Sequence, residues 1–425
     1  MKRQIFIGLL MPLLAGCATP SFKAPTGASE LPVAAATKDT GKHPATTPLG
    51  SQTPSPQPTL LANGAVTLST DPAVAYRINP AHSGLQAANL TSRRLGKRWS
   101  RDLGGPVSYP LVAGGKVFVT FANVGSYGSG LVALDEKTGH TVWGPIDLGG
   151  TYGFSGAAYD QGRLFVVNGD GLIRSFDGSS GAPGWSVKAE GQYSFDSPPT
   201  AFGGSLYLVG AGSGGTLYAF SEASGAVRWV APVNGTSSSP AVTAEAVFVT
   251  FACVQADDFN PSTGTRIWHH NAPCSGGGGA TAVLYQGKVY ARDLSSGNLT
   301  LDAKTGSVAG TFSATTNPAF SRTAGYFLSG GTLRSIDLAS GAVQWSYTGD
   351  GSLVSAPIVA GDTVYTASSS GIVHALNAST GAVVAEVDTH AVISATDEQN
   401  AVQRTSLAVG DGLLIVPAGT TLFAY

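Results

Sequence analysis

The chain is predicted to be all-β: an eight-bladed β-propeller of four-stranded antiparallel blades, closed by an N-terminal strand that completes the last blade. Three observations predict this. A short apolar strand runs seven times into a Thr-Gly or Ser-Gly pair, at Gly139, Gly181, Gly225, Gly264, Gly306, Gly341 and Gly381. These glycines lie 42, 44, 39, 42, 35 and 40 residues apart, the length of one four-stranded sheet with its turns. Composition agrees: charged residues are 12% against roughly 25% in an average soluble domain, and Gly reaches 57 residues, so turns and strands dominate. The ends complete the picture. Leu413 to Val416 and Thr421 to Tyr425 read as the second and third strands of a blade that stops before its Thr-Gly turn, and Leu95 to Trp99 supplies its missing outer strand. Closure of this kind removes exposed sheet edges.

From the N-terminus, residues 1–16 read as a lipoprotein signal peptide. Lys2 and Arg3 precede an apolar stretch, Ile5 to Leu14, too short to span a bilayer as a mature helix. It ends in Leu14-Ala15-Gly16-Cys17, which looks like a bacterial lipobox with Cys17 as the lipidated first mature residue. Residues 17–60 carry eight prolines among Thr, Ala and Ser and are expected to form a disordered tether, because such a stretch cannot bury a core. Residues 61–90 are expected to be a lead-in segment packing on the ring, and 91–425 the propeller.

Each repeat contains the same parts. In the fourth, Ser237 to Val242 starts an inner strand, Ala246 to Phe251 is the second, Asp258 to Asn260 the third and Arg266 to Trp268 the outer one. Gly in the turn supplies a positive φ and the preceding hydroxyl can bond the turn backbone. Trp99, Trp143, Trp185, Trp229, Trp268 and Trp345 are expected to pack between blades, since one blade cannot bury both faces alone; Val308 and Val384 stand in their place in two copies.

With Cys17 taken by lipid, Cys253 and Cys274 remain. Cys253 follows a second strand and Cys274 an outer strand of the same blade, so both open on one face, and a disulfide is expected in an exported chain. A metal site at His269 and His270 is disfavoured, because adjacent strand residues point to opposite faces.

The pattern Ala133-Leu134-Asp135-Glu136-Lys137-Thr138-Gly139-His140-Thr141-Val142-Trp143 resembles the repeat of quinoprotein-type (PQQ-like) propellers over about residues 75 to 425. Asp135, Asp177 and Asp337 keep that family's acidic position, and Ser221, Asn260 and Asn377 depart from it. The resemblance implies two kinds of protein. Quinone-dependent dehydrogenases carry calcium held by Glu, Asn and Asp near the pore, a catalytic Asp and commonly a vicinal Cys pair. This chain has neither a vicinal pair nor a haem-attachment motif, so PQQ and calcium are not favoured, no catalytic residue is assigned and no metal is expected. The propeller lipoprotein of the outer-membrane β-barrel assembly machinery shares lipobox, eight blades and missing cofactor motifs. It implies a non-catalytic, monomeric scaffold anchored in the envelope, docking a protein partner by one loop face. Ala18 after Cys17 favours the outer membrane in a diderm cell.

A glycan- or ligand-binding propeller is the alternative, with Tyr109, Tyr127, Tyr152, Phe154, Tyr193 and Phe195 as aromatics on the face of blades one to three. Asp388, His390, Asp397, Glu398 and Arg404 sit on the long connection from Asp388 to Thr405, the one charged interruption of a neutral surface and the first place to seek a binding site. A net charge of −2 without a basic run excludes a nucleic-acid binder.

Overall fold

A computed structural model describes residues 72–86, 95–212, 214–274, 277–293 and 297–425. The expected signal peptide, Cys17, the expected tether and the start of the expected lead-in lie outside them. Eight antiparallel sheets follow one another along the chain. Blade 1 comprises Leu111–Ala113, Lys116–Ala122, Ser129–Asp135 and Thr141–Gly149, from the inside outward. Blades 2 to 7 span 155–188, 200–233, 241–270, 283–312, 319–347 and 358–388. Blade 8 takes three strands from the C-terminus and its outer strand, Trp99–Asp102, from the N-terminal side, with Trp99 opposite Ala424. The predicted closure is therefore present. The one helical element among the described residues is a short 3-10 turn, Ala252–Val254.

The repeat makes physical sense at the turn. Asp135 Oδ1 accepts the backbone N–H of Lys137 and Thr138 and the Thr138 hydroxyl, at 2.8–3.1 Å. Asp177, Asp302 and Asp337 repeat this geometry; Asn377 repeats it with a neutral oxygen, hydroxyl included, and Asn260 its backbone part. What the position needs is an acceptor, so Asp and Asn interchange. The turn glycines have φ between 68° and 74°. Over six of the seven lies the indole of the preceding blade: Trp99 over Gly139, Trp143 over Gly181, Trp185 over Gly225, Trp229 over Gly264, Trp268 over Gly306 and Trp345 over Gly381. Each indole N–H donates to the carbonyl three residues before that glycine, for example Trp99 to Glu136 at 2.8 Å and Trp185 to Glu222 at 2.7 Å. One side chain thus fills the joint and satisfies a turn carbonyl.

Strand register corrects one reading of the repeat. Trp345 lies opposite Ser335 and Trp229 opposite Ala219; the matching positions in blades 5 and 7 are Gly310, opposite Thr300, and Ala385, opposite Ala375. Val308 falls on the near side of the bulge in its outer strand and Val384 within the bulge of its own, so they are not the replacements for Trp. Gly341 consequently has open space where the other turn glycines meet an indole.

Residues 72–86 run along the free edges of the inner strands. Ala73 exchanges two backbone hydrogen bonds with Val112 of blade 1, and the carbonyls of Val74, Pro80, Ala81 and Gly84 accept from Tyr159, Val242, Leu284 and Val359 of blades 2, 4, 5 and 7. Leu85–Gln86 then adds a parallel strand to blade 7. His82 reaches Thr200 of blade 3, Arg77 the carbonyls of Asn317 and Pro318 before and at the start of blade 6, and Gln86 the carbonyl of Val409 in blade 8. This one segment therefore touches all eight blades from within the ring.

Candidate functional site

In a four-stranded up-and-down blade, the turn between strands two and three opens on the same side as the connection to the next blade. That side, the loop face, carries every predicted binding residue. The opposite side carries the Thr/Ser-Gly turns.

The longest connection, 389–407 between blades 7 and 8, crosses the loop face as a strap. Glu398 descends from it into the ring and is buried. Its Oε2 pairs with Arg292 at the end of a blade 5 strand, and its Oε1 accepts from Asn317 at 3.4 Å and from the Tyr76 hydroxyl at 3.5 Å. Arg292 also donates to Asn317 Oδ1 at 2.8 Å and the Thr315 carbonyl at 3.0 Å, so the pair is surrounded by polar partners. Burial alone would raise the Glu398 carboxyl, but Arg292, Thr281 and Arg404 outweigh it and hold the group below its usual range. Arg404, 1% exposed, donates to the carbonyls of Asn400 and Asp196 and lies over the Phe154 ring. Gln399 donates to the Gly279 carbonyl and Gln403 accepts from Thr120. The strap is thus tied to blades 1 and 5, to the connection between blades 4 and 5 and to the connection before blade 3.

Beneath it, Arg77 donates to the carbonyls of Ala356, Asn317, Pro318 and Pro357, and burial pulls its guanidinium down to about 10. His82 is wholly buried and pushed down to about 4 by burial, hence neutral. Tyr76 and Tyr109 pack ring against ring with centroids 5.1 Å apart. The ring interior is filled by the chain's own lead-in and strap.

The structure divides the predicted face residues into two groups. Tyr109, Phe154 and Phe195 are 3%, 0% and 0% exposed, and with Glu398 and Arg404 they cannot offer a surface. Tyr109 both donates to and accepts from the Ala157 backbone, at 2.6 and 2.8 Å. Phe195 covers Gly171 and Gly210, two glycines whose missing side chains make room for its ring. Tyr127, Tyr152 and Tyr193 are exposed, at 81%, 44% and 70%, with Val124 beside Tyr127. Tyr193 lies over Gly212 and donates to its carbonyl at 2.9 Å. Asp388 and His390 are exposed and 3.0 Å apart, and Asp397 is half-buried and caps the backbone of Gln399 and Asn400.

Two cavities open on this face. One of about 470 Å³ lies between blades 4 to 6 and the strap, lined by Arg292, Asn298, Thr315, Asp397 and Gln399 among others. The other, of about 510 Å³, is lined by Tyr193's neighbour Ser194, Gly212, Asn234, Thr236 and Gly277. Cys253 and Cys274 form the expected disulfide, with Cα atoms 6.0 Å apart. His269 bonds Asp257 at 2.8 Å while His270 turns to the Gly306 carbonyl at 3.2 Å, on the other side of the sheet. Among the described residues no group of three or more His, Cys, Asp or Glu is placed to hold a metal, and no helix is long and apolar enough to cross a membrane.

Sequence reasoning missed Arg77, Arg292, Asn317 and Asp196. Arg292 carried a faint signal, a charge closing the apolar run Val289-Tyr290-Ala291.

Comparison with known proteins follows the fold. The family model described as outer membrane protein assembly factor BamB matches residues 34–145, 128–307 and 251–420. No curated protein sequence matches the chain. Among solved structures, BamB from Moraxella catarrhalis is 18% identical, with a TM-score of 0.59 over 78% of this chain and 99% of that one. Quinohemoprotein alcohol dehydrogenase from Comamonas testosteroni is 13% identical, with a TM-score of 0.64 over 84% of this chain and 81% of that one. A europium-containing methanol dehydrogenase is 14% identical, with a TM-score of 0.62 over 82% and 90%. At these identities the structural likenesses carry the fold alone.

Proposed function

The chain belongs to the family of the outer membrane protein assembly factor BamB, and from that premise we propose that it is a non-catalytic scaffold of the cell envelope. Its loop face docks a protein of the outer-membrane assembly machinery, and a lipid on Cys17 anchors the monomeric ring to the outer membrane, facing the periplasm, in a diderm cell, and otherwise to the outer face of the plasma membrane. The observation that carries this reading is the filled interior. A quinone with its calcium does not fit the residues at the ring's centre. The one buried carboxylate facing it from the strap, Glu398, is committed to Arg292. Asp196 accepts from the Ser237 backbone and hydroxyl, at 3.0 and 2.9 Å. Tyr76, Tyr109, Arg77 and Arg404 take up the volume between them. What remains outward is a set of exposed aromatic residues on loops, the residue type that anchors protein interfaces.

A second reading, a glycan- or ligand-binding propeller, is supported by Tyr193 at the rim of the larger cavity. The deciding experiment adds quinone and calcium to the purified protein and records the absorption spectrum and dye-linked alcohol oxidation, beside a crosslinked pull-down and a polysaccharide column. The scaffold reading expects no quinone spectrum, no turnover and capture of a barrel-assembly component. Turnover with bound quinone would sink it, and retention on polysaccharide would favour the second reading.

A further inference from the structure

On the turn face, two blade joints contain a pair of acids where the others contain none. Glu136 and Glu222 both stand three residues before a turn glycine, and their carbonyls accept the indole N–H of Trp99 and Trp185. At the same position the other blades carry Gly178, Pro261, Ala303, Leu338 and Ala378. Both glutamates are buried, 8% and 4% exposed. Each one's backbone N–H is spent on its own blade's first turn, at Gly115 and Gly204. The side chain of each turns to the acid in the first turn of the preceding blade: Glu136 of blade 1 to Asp411 of blade 8, and Glu222 of blade 3 to Asp160 of blade 2. Glu136 Oε2 and Glu222 Oε1 are buried without a donor, and among the described residues neither glutamate forms an ion pair.

Two carboxyl groups can hydrogen-bond to each other only if they hold a proton between them, since ionised carboxylates accept and cannot donate. We propose that Glu136–Asp411 and Glu222–Asp160 are proton-dependent latches between blades, one of them on the joint that closes the ring, and that losing the shared protons loosens both joints. The surroundings support this sign. Around Glu136 the other charged groups are Lys137 and Asp135; around Glu222 they are Arg228, the Tyr207 hydroxyl, and Arg163, which is spent on the Glu222 and Ala223 carbonyls. Burial first, and then the facing aspartate, push Glu136 up to about 7 and Glu222 up to about 8. A carboxyl whose folded value is raised contributes stability that is complete below its unfolded value, near 4.5, and is lost as pH rises through the folded value. The window is therefore about pH 4.5 to 8.

The test is thermal unfolding from pH 5 to pH 9 of the protein and of Glu136→Gln, Glu222→Gln and the double variant, in which an amide donates what the proton supplied. The midpoint of the unaltered protein is expected to fall by roughly 3–6 °C across this range, at the small shift per unit of stability that a large domain gives. The double variant is expected to lose most of that slope. An infrared band of protonated carboxyl, present at pH 6, should weaken in each single variant and most in the double, where what remains belongs to buried Asp258, pushed up to about 7 by burial. Equal slopes in all four proteins, or no such band at pH 6, would overturn the proposal. So would calcium at pH 8 raising the midpoint of the unaltered protein and leaving the double variant unmoved, since a metal would then be the bridge.

Discussion

Changing Gly181 and Gly341 separately to alanine measures what the indole contributes to a blade joint. Both glycines occupy the same turn, at φ 72° and 74°, so both alanines meet the same left-handed backbone cost of about 1–2 kcal/mol. Only one meets a side chain. A Cβ on Gly181 would lie 2.6 Å from Trp143 Cδ2 and 2.8 Å from Cε3, whereas a Cβ on Gly341 has nothing within 4 Å. Trp143 cannot yield freely, because its N–H is bonded to the Gly178 carbonyl at 3.2 Å and its ring packs on Phe118, centroids 5.8 Å apart. Overpacking of this kind costs about 1–3 kcal/mol beyond the backbone term. Gly181→Ala is therefore expected to lose about 2–5 kcal/mol and Gly341→Ala about 1–2 kcal/mol, which calorimetry reads as a midpoint gap on the order of 2–5 °C. Matching midpoints for the two variants would refute the idea that the indole sets the joint.

The converse substitution, Gly310→Trp, is expected to fill the joint that lacks an indole and to raise the midpoint by an amount equivalent to about 1–2 kcal/mol; a fall would show that the space is not shaped for it. Removing the disulfide with Cys274→Ala should cost about 3 kcal/mol for its 21-residue separation, and a reductant should then have no further effect on the denaturation midpoint. Arg77→Met leaves four inward carbonyls without their donor and should cost about 3–5 kcal/mol, with faster hydrogen exchange at the inner strands of blades 6 and 7. Glu398 is held below its ordinary range, so the stability it contributes is present above about pH 4.5 and lost as pH falls through its folded value. Exchange across 389–407 should rise in acid for the unaltered protein and be high at every pH for Glu398→Ala.

The fold was legible because its determinants are local and repeated. An acceptor, a hydroxyl and a glycine within five residues specify a turn, and period-2 alternation specifies the strands around it. The disulfide followed from topology alone. Aligning Val308 and Val384 with Trp follows the nearest β-branched residue and not the spacing: every outer strand carries the same bulge, so the Trp position stands four residues after the turn glycine, where Gly310 and Ala385 have no bulk to mark it. The candidate site was legible only in outline. Tyr109 and Tyr193 look alike in sequence, and their opposite fates depend on where each side chain meets the ring: Tyr109 faces the lead-in's Tyr76, while Tyr193 lies over Gly212 at the rim. Glu398 and Arg404 appeared as surface charges because their partners, Arg292 and Asp196, are 106 and 208 positions away.

The claim that this is a docking scaffold is tested most directly by site-specific photocrosslinking in cells. A photoreactive residue at Tyr127, Tyr152 or Tyr193 probes the loop face, and one at Lys137 or Thr305 probes the turn face. Capture of a barrel-assembly component from the tyrosine positions and none from the turn positions is the predicted result. Capture from the turn face alone, or no assembly component from either face, would contradict it.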